Sequence, residues 1–562
     1  MQVHLRRRHD AGPPPDARPH TLAEPVPDSG HSLPEAAPSA VNPSGRLRPH
    51  AWALRLIIGF GIFHLVYAAF VGLAGDEAYY WQWSRQLDWG YYDHPPMVAY
   101  LIALGTQLAG HNEFGARFVM VLLSTILLWL VYRMTVDLSA LLPVAGSADR
   151  PHPATAGLWA IGSLTVTPLF GVGGFLATPD IPLVFFWTLT IALTLRAVRN
   201  PANWNWVLVG VALGLGMISK YSMVILPAAL FLVFTVSHHG RRLLKTPGPW
   251  IATGIAMLVC APHFLWQLRH DFVSVFYQLG HGLGAPGNNG QRIVNPDTFG
   301  HFLVGQAGVV SPILFLLFIW VLLIAAILLV RWYERRSAHG VAAEMTLWLL
   351  LLPAALTLAV FAAASFFAKP QANWPVAAYP TLSVLLGVLL ADWAGRRGVK
   401  KMLVWSATGF AALITVYAHV EAAFPVVSYD NSVFNKLQEK KGLANWLAAM
   451  RAESAEARSA AVLAENYRLA SLLAFYLPDH PRTDAPFEQG SGAQYTIWRD
   501  PKTSGPQGMA WYLTRFENDN RVLSLFRDYR LAGVYVERRA GVAIGNTYAY
   551  FGRLKTMSES AR

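Results

Sequence analysis

The sequence predicts a polytopic α-helical membrane protein of about eleven transmembrane helices with a small mixed α/β domain outside the membrane at its carboxyl end. Three observations predict it. Of 562 residues, 54% are hydrophobic and only 14% charged, well below the roughly 25% charged share of soluble domains. Apolar runs near the roughly twenty residues needed to cross a bilayer recur from Ala51 to about Val420. Basic clusters separate alternate runs, as the positive-inside rule requires of cytoplasmic loops. That placement accounts for the formal net charge of +12 without a nucleic-acid partner.

Residues 1–50 are rich in Pro, open on Arg6-Arg7-Arg8 and hold no early apolar core of the signal-peptide kind. They read as a disordered cytoplasmic tail. Residues 51–421 form the membrane module. Span one, Ala51 to about Leu73, follows Arg46 and Arg48 and carries Arg55, which sets the amino terminus inside. Span two, about Ala116 to Val136, returns to a Pro-containing loop with Arg150. Span three ends outside near Gly173-Gly174, and span four, about Ile181 to Leu195, returns to Arg196 and Arg199. Span five, about Trp204 to Ile218, ends outside at Lys220-Tyr221, and span six returns to Arg241, Arg242 and Lys245. Span seven ends outside around Pro262-His263, and a Gly/Asn-rich loop runs on to about Gly300. Span eight returns to Arg331, Arg335 and Arg336, and span nine goes out to Lys369-Pro370-Gln371-Ala372-Asn373-Trp374-Pro375. Span ten returns to Arg396-Arg397 and Lys400-Lys401, and span eleven ends outside near Val420. Gly210, Gly214 and Gly216 in span five read as small-residue packing positions.

Residues 422–562 change character, with mixed charge, short apolar runs and turn signals. Leu463 to Leu477 leans apolar but carries Glu465, Asn466 and Arg468, too polar for a span. Leu531 to Glu537 reads as a strand. Its positive charges are compatible with an outside location, because long domains translocate largely regardless of charge. The single cysteine, Cys260, excludes an intramolecular disulfide. Internal repeats, glycine-rich phosphate loops and Cys/His zinc spacings are absent from the sequence.

The chemistry gathers on the outer side. Just past span one stands Gly75-Asp76-Glu77-Ala78-Tyr79-Tyr80-Trp81, and then Asp88-Trp89-Gly90-Tyr91-Tyr92-Asp93-His94-Pro95-Pro96. Ionisable residues where a span leaves the lipid are functional candidates; an interfacial aromatic belt explains the Trp and Tyr but not the acids. With Asp180, Lys220, His263, Lys369 and Asn373 at other span ends, this side offers a general base, cations for an anionic group and a candidate metal pair. Bland readings stand beside several of these. Glu77 can pair with Arg85 or Arg117, Asp180 can cap the helix it begins, and Lys220 can snorkel to the interface. His263 can be an ordinary interfacial histidine, and Trp374 and Tyr379 read as belt or packing residues.

The string from Gly75 to Pro96 resembles the first external loop of the bacterial GT-C glycosyltransferases, in particular those related to the lipid A aminoarabinose and galacturonic acid transferases and to protein O-mannosyltransferases. Thr178-Pro179-Asp180-Ile181-Pro182, Gly214-x-Gly216 with Lys220-Tyr221, and Asn373-Trp374-Pro375 with Tyr379 match in order and sidedness. Beyond 421 the likeness is looser, in Tyr467-Arg468-Leu469-Ala470-Ser471 and Gln494 to Trp498. The resemblance implies an inverting sugar transfer from a polyprenyl-phosphate donor at the periplasmic face of a bacterial inner membrane, to a lipid A-type or other glycolipid. It implies that Asp76, with Glu77 beside it, is catalytic. Donor and substrate contacts are then expected from Asp93, His94, Arg117, Asp180, Lys220, Tyr221, Lys369 and Asn373. A divalent metal held by Asp93 and His263 is the candidate cofactor. Relatives of the aminoarabinose branch place Lys directly after the second acid; here that position is His94, and an imidazole is a weaker phosphate partner unless protonated. Two alternatives stay open: the same fold acting on protein hydroxyls, and a transporter of a lipid or sugar.

Overall fold

A computed structural model of the chain describes residues 43–142, 150–283, 294–335, 341–424, 440–488, 494–498, 508–539 and 541–555. Residues 1–42 of the expected amino-terminal tail, Arg336 and the centre of the Gly/Asn-rich loop (284–293) lie outside the described residues, while residues 43–50, read as the end of that tail, are the first turns of a helix that runs to Phe70. Arg48–Arg562 forms one compact unit, so the membrane helices and the carboxyl-terminal segment pack together.

The helices run α1 Pro43–Phe70, α2 Gly75–Ser84, α3 Met97–Ala109, α4 Glu113–Leu138, α5 Pro153–Thr165, α6 Pro168–Gly171, α7 Asp180–Arg199, α8 Asn203–Met217 and α9 Ile225–Val236. They continue as α10 His238–Leu243, α11 Pro247–Arg269, α12 Val273–Leu283, α13 Pro296–Val310, α14 Pro312–Arg335, α15 Val341–Ala364, α16 Tyr379–Gly395 and α17 Val399–Ala423. Among the described residues, eight are long and apolar enough to cross a membrane, or nine if Pro153–Thr165 and Pro168–Phe175, bent by 80°, count as one broken span. The sequence predicts about eleven. The difference lies in α8 and Tyr221–Val236. The fifteen residues of α8 reach about 22 Å at 1.5 Å per residue, short of a hydrocarbon core about 30 Å thick.

Local chemistry sets several of these boundaries. Pro168, at the first position of α6, cannot continue the ladder of α5, and the Thr167 hydroxyl caps the new helix. In α7, Asp180 opens the first turn and Arg196 and Arg199 close the last, each charge opposing the dipole end it meets. Glycines in α8 let α11 close in: a Cβ at Gly214 would lie 2.6 Å from Val259 Cβ. The most enclosed helix is α16, whose apolar window is 94% buried, and it packs on α5.

Stretches read as outer loops are also helical. Residues 75–84 form α2, 97–109 form α3, 273–283 form α12 and 296–310 form α13. None reaches the roughly twenty residues by which a span is found in sequence.

The carboxyl-terminal segment adds α18 Lys441–Arg451, α19 Ala455–Ser459, α20 Tyr467–Tyr476, α21 Gln494–Trp498 and α22 Asn520–Leu525. Its five strands are β1 Ala461–Ala464, β2 Thr483–Asp484, β3 Met509–Thr514, β4 Phe526–Arg539 and β5 Val542–Leu554, ordered β2-β1-β3-β5-β4. Strand β1 is parallel to β2 and β3, whereas β5 is antiparallel to β3 and β4, with Val534 opposite Tyr548. The stretch Leu463–Leu477 is therefore the end of β1 and the whole of α20, in a β1-α20-β2 crossover. Asn466 caps α20, its Oδ1 accepting the Leu469 N–H at 3.0 Å. Functional residues of such units cluster at the carboxyl ends of the parallel strands, and that end of β1 leads into Tyr467 and Arg468, facing α2.

Candidate active site

A cavity of about 650 Å³ opens where the ends of several membrane helices meet α2, α12 and α20. Asp76, Asp93, His94, Asp180, Lys220, Tyr221 and Asn373 all line it, so seven of the eleven residues expected from the sequence come together. Met217, Val224, Ile225, Val275, Leu279, Val360 and Phe361 give it an apolar wall.

Asp76 sits in the first turn of α2, where the helix dipole favours an anion. Its Oδ1 accepts from the Tyr467 hydroxyl at 2.8 Å and from Arg468 Nε at 2.9 Å. Its side chain is 43% exposed. Asp93 Oδ2 accepts from the Tyr79 hydroxyl at 2.7 Å, and its carbonyl receives Gln278 Nε2 at 2.6 Å. Burial, then the neighbouring carboxylates, hold the Tyr79, Tyr80 and Tyr467 phenols well above their ordinary range, so all three stay protonated donors.

On another wall, Lys220 Nζ reaches Asp180 Oδ1 at 2.6 Å, and Asn373 Nδ2 reaches Asp180 Oδ2 at 2.7 Å. This triad ties the start of α7 to the turns before α9 and α16. Asp180 therefore does more than begin a helix: it fixes the lysine and the amide at the cavity edge. An ammonium has three donors. One goes to Asp180, and no other hydrogen bond or ion pair of Lys220 exists among the described residues, so two can face a ligand.

His94 is neutral. Burial, then Lys220 and His281, lower its pKa to about 3, and its buried Nδ1 has no hydrogen-bond partner among the described residues. A lysine's permanent charge is therefore absent at this position, and Lys220 is a cation in the cavity lining.

Four expected members stand outside the cavity lining. Glu77 and Arg117 form a buried pair at 2.5 Å, with side chains 1% and 0% exposed. Glu77 also accepts the N–H groups of Ala74 at 2.9 Å and Ala177 at 2.8 Å, and Arg117 donates to the carbonyls of Ala68, Val71 and Gly72. This pair staples α2, the end of α1, α4 and the turn before Asp180 together. Glu77 is thus the buried anchor beside the exposed acid, and its partner is Arg117 rather than Arg85. Lys369 is exposed and does not reach the cavity. His263 packs behind the first loop, with Nδ1 on the Trp89 carbonyl at 2.8 Å and Nε2 on the Tyr221 hydroxyl at 3.2 Å.

Both His263 nitrogens are thus engaged, and Asp93 Oδ2 accepts from Tyr79. Among the described residues no three His, Cys, Asp or Glu side chains gather as a metal group. Trp374, read from sequence as a belt residue, lines the cavity instead, whereas Tyr379 is a buried packing residue bonded to Gln306 at 2.7 Å. Tyr79, Tyr80, Gln278, His281, Tyr467 and Arg468 were not singled out as site residues, yet all line the cavity. Tyr79 and Tyr80 stood within the first-loop motif and Tyr467-Arg468 in the looser likeness of the tail, whereas Gln278 and His281 carried no signal.

Known proteins resemble this chain in sequence and in fold. Residues 93–266 match the family model described as dolichyl-phosphate-mannose-protein mannosyltransferase. The chain is 27% identical over 353 residues to the lipid A galacturonosyltransferase RgtD of Rhizobium johnstonii, covering 60% of this chain and 64% of that protein. It is 28% identical over 327 residues to an undecaprenyl phosphate-alpha-4-amino-4-deoxy-L-arabinose arabinosyl transferase of Pseudomonas aeruginosa, covering 54% of each. These alignments span about half to two thirds of the relatives' lengths. Among solved structures, ArnT from Cupriavidus metallidurans bound to undecaprenyl phosphate superposes with a TM-score of 0.57 at 16% identity, over 88% of this chain and 97% of that one.

Proposed function

The chain has the GT-C glycosyltransferase fold, and from that premise we propose that it transfers a sugar, with inversion, from a polyprenyl-phosphate donor to a lipid A-type or other glycolipid acceptor. The observation that carries the proposal is the cavity itself: one base-forming carboxylate, one lysine with donors to spare, and an apolar wall fit for a lipid chain, all at one end of the helices. Its curated relatives, named as lipid A galacturonosyl- and aminoarabinosyltransferases, support that substrate class. A transporter places its ionisable groups near the bilayer midplane; here they gather at helix ends, which favours the enzyme. Transfer to protein hydroxyls is the second reading, supported by the protein mannosyltransferase family match.

In the reaction, the acceptor hydroxyl gives its proton to Asp76 as its oxygen bonds the anomeric carbon. The bond from that carbon to the phosphate oxygen breaks, and the electron pair leaves on the polyprenyl phosphate. Lys220, steadied by Asp180, and the Asn373 amide edge hold the phosphate and its growing charge. Neutral His94 is left to hydrogen-bond rather than to neutralise. No step is assigned to a metal.

Purified protein incubated with a polyprenyl-phosphate sugar should move the sugar mass onto lipid A or another membrane glycolipid, read by mass spectrometry. Transfer from a nucleotide sugar with no polyprenyl carrier would sink the proposal. Lys220→Ala is expected to raise the donor KM about ten-fold, roughly 1.4 kcal/mol of binding, because it removes the cation and leaves Asp180 facing the phosphate. Lys220→Arg should recover part of this. Unchanged kinetics in the alanine variant would return Lys220 to an interfacial role.

The sidedness that this function needs puts the cavity and the carboxyl-terminal segment in the periplasm of an inner-membrane protein, with the basic loops and the amino terminus in the cytoplasm. Support comes from Arg196 and Arg199, Arg241 and Arg242, and Arg396 and Arg397, all at the opposite helix ends. An alkaline phosphatase fused to the carboxyl terminus should be active, since that reporter folds only in an oxidising compartment. An inactive fusion would reverse the orientation.

A further inference from the structure

The acid proposed as the base is held from outside the membrane module. We propose that α20 is the positioning element for Asp76: Tyr467 and Arg468 occupy Oδ1 and leave Oδ2 as the oxygen that takes the acceptor proton. This rests on the reading of Asp76 as the base.

Oδ1 accepts two hydrogen bonds, at 2.8 Å from the tyrosine hydroxyl and 2.9 Å from the guanidinium Nε. Oδ2 carries none among the described residues, although Asp76 lines the cavity. Two bonds on one oxygen fix the carboxylate plane and draw charge to that side. The acceptor proton therefore goes to Oδ2 as the acceptor oxygen bonds the anomeric carbon and the phosphate leaves with its electron pair.

The holder is itself fixed. The Tyr467 N–H is bound by Glu488 Oε2 at 2.7 Å, and the Arg468 guanidinium lies over the Tyr467 ring, 4.8 Å from its centroid. Tyr79 packs its ring 4.7 Å from that of Tyr467. Backbone and side chain meet with no slack at Gly75, where a Cβ would lie 2.6 Å from Arg468 Cβ. Contacts further along α20 hold the interface independently: Trp81 on Phe475 at 5.0 Å, and the Leu73 N–H on the Tyr476 hydroxyl at 2.8 Å.

Exposure decides what the Asp76–Arg468 pair is for. Its side chains are 43% and 49% exposed, and ion pairs so open to water add little to folding. Its contribution is the orientation of a reacting group, where a misplacement of about 1 Å can cost about a hundred-fold in rate. The carboxyl-terminal segment thereby becomes a working part of the active site.

The test is a cycle in the full-length protein, with Arg468→Gln and Tyr467→Phe placed in the native and the Asp76→Asn backgrounds. Arg468→Gln should lower kcat about ten-fold with donor KM within about two-fold, and Tyr467→Phe about three-fold. Arg468→Lys should recover part of the loss. In Asp76→Asn, adding Arg468→Gln should cost less than about two-fold, because nothing remains to position. Equal losses in both backgrounds, or a loss carried by KM, would overturn the inference. Amide exchange over residues 74–80 gives an arm that needs no turnover: it should rise in Arg468→Gln and stay unchanged over 181–199. Unchanged exchange over 74–80 would also overturn it. Should Arg468→Gln fail to accumulate, the near-isosteric Tyr467→Phe decides by the same readouts. Wild-type protein that transfers nothing from a polyprenyl-phosphate sugar would sink the proposed function, while the exchange arm still decides the positioning.

Discussion

Asp76→Asn is expected to lower transfer by about a hundred- to ten-thousand-fold, the range contributed by a positioned proton acceptor, while leaving the protein folded and inserted. Both halves of that expectation come from the geometry. Asparagine keeps the shape, and its amide oxygen can still accept from Tyr467 and Arg468 as Oδ1 does. What it loses is a basic second oxygen. Because the side chain is 43% exposed, removing its charge strands no deeply buried partner, so yield and thermal stability should stay near the wild type. Single-turnover transfer followed by mass spectrometry checks the rate. Near-normal activity would remove the core of the mechanism.

Arg117→Met is expected to do the opposite: to destroy the structure rather than the chemistry. Arg117 and Glu77 are 0% and 1% exposed, and removing one partner of a buried pair costs about 3–5 kcal/mol because the other charge is left without compensation. Here three backbone carbonyls, those of Ala68, Val71 and Gly72, lose their donors as well. The total is a large fraction of the roughly 5–15 kcal/mol that holds an ordinary domain together. The yield of monodisperse protein and its melting temperature should fall sharply. The double variant Arg117→Met with Glu77→Gln should recover part of the loss, since no unpaired charge then remains. An Arg117→Met protein as stable as wild type would show that the pair is not the staple described above.

The contrast between these two variants marks the limit of sequence reading at this site. Asp76 and Glu77 are adjacent in the chain and chemically alike, and each has its own bland and functional reading. On α2 they point apart, one to the cavity and one into the protein. Similarly, the lowered pKa of His94 follows from burial beside Lys220 and His281, and Lys220 is far away in sequence. The sequence offers Asp93 and His263 as a metal pair only by residue type. The fold spends both nitrogens of His263 on Trp89 and Tyr221.

The sequence by itself determined the membrane character, the positions of the long spans, the gathering of the acids and Lys220 at one set of helix ends, and the strand over Leu531–Glu537. Each follows from a local or periodic property: apolar run length, charge placement between runs, alternation along a strand. Tertiary structure alone decided the Asp180–Lys220–Asn373 triad and which acids reach the cavity. It alone brought Tyr467 and Arg468 to Asp76 across 391 and 392 positions of chain. The physical reason is that helix formation and lipid crossing are settled within about twenty residues, whereas a side chain's burial, partner and protonation depend on neighbours that only the packed fold supplies.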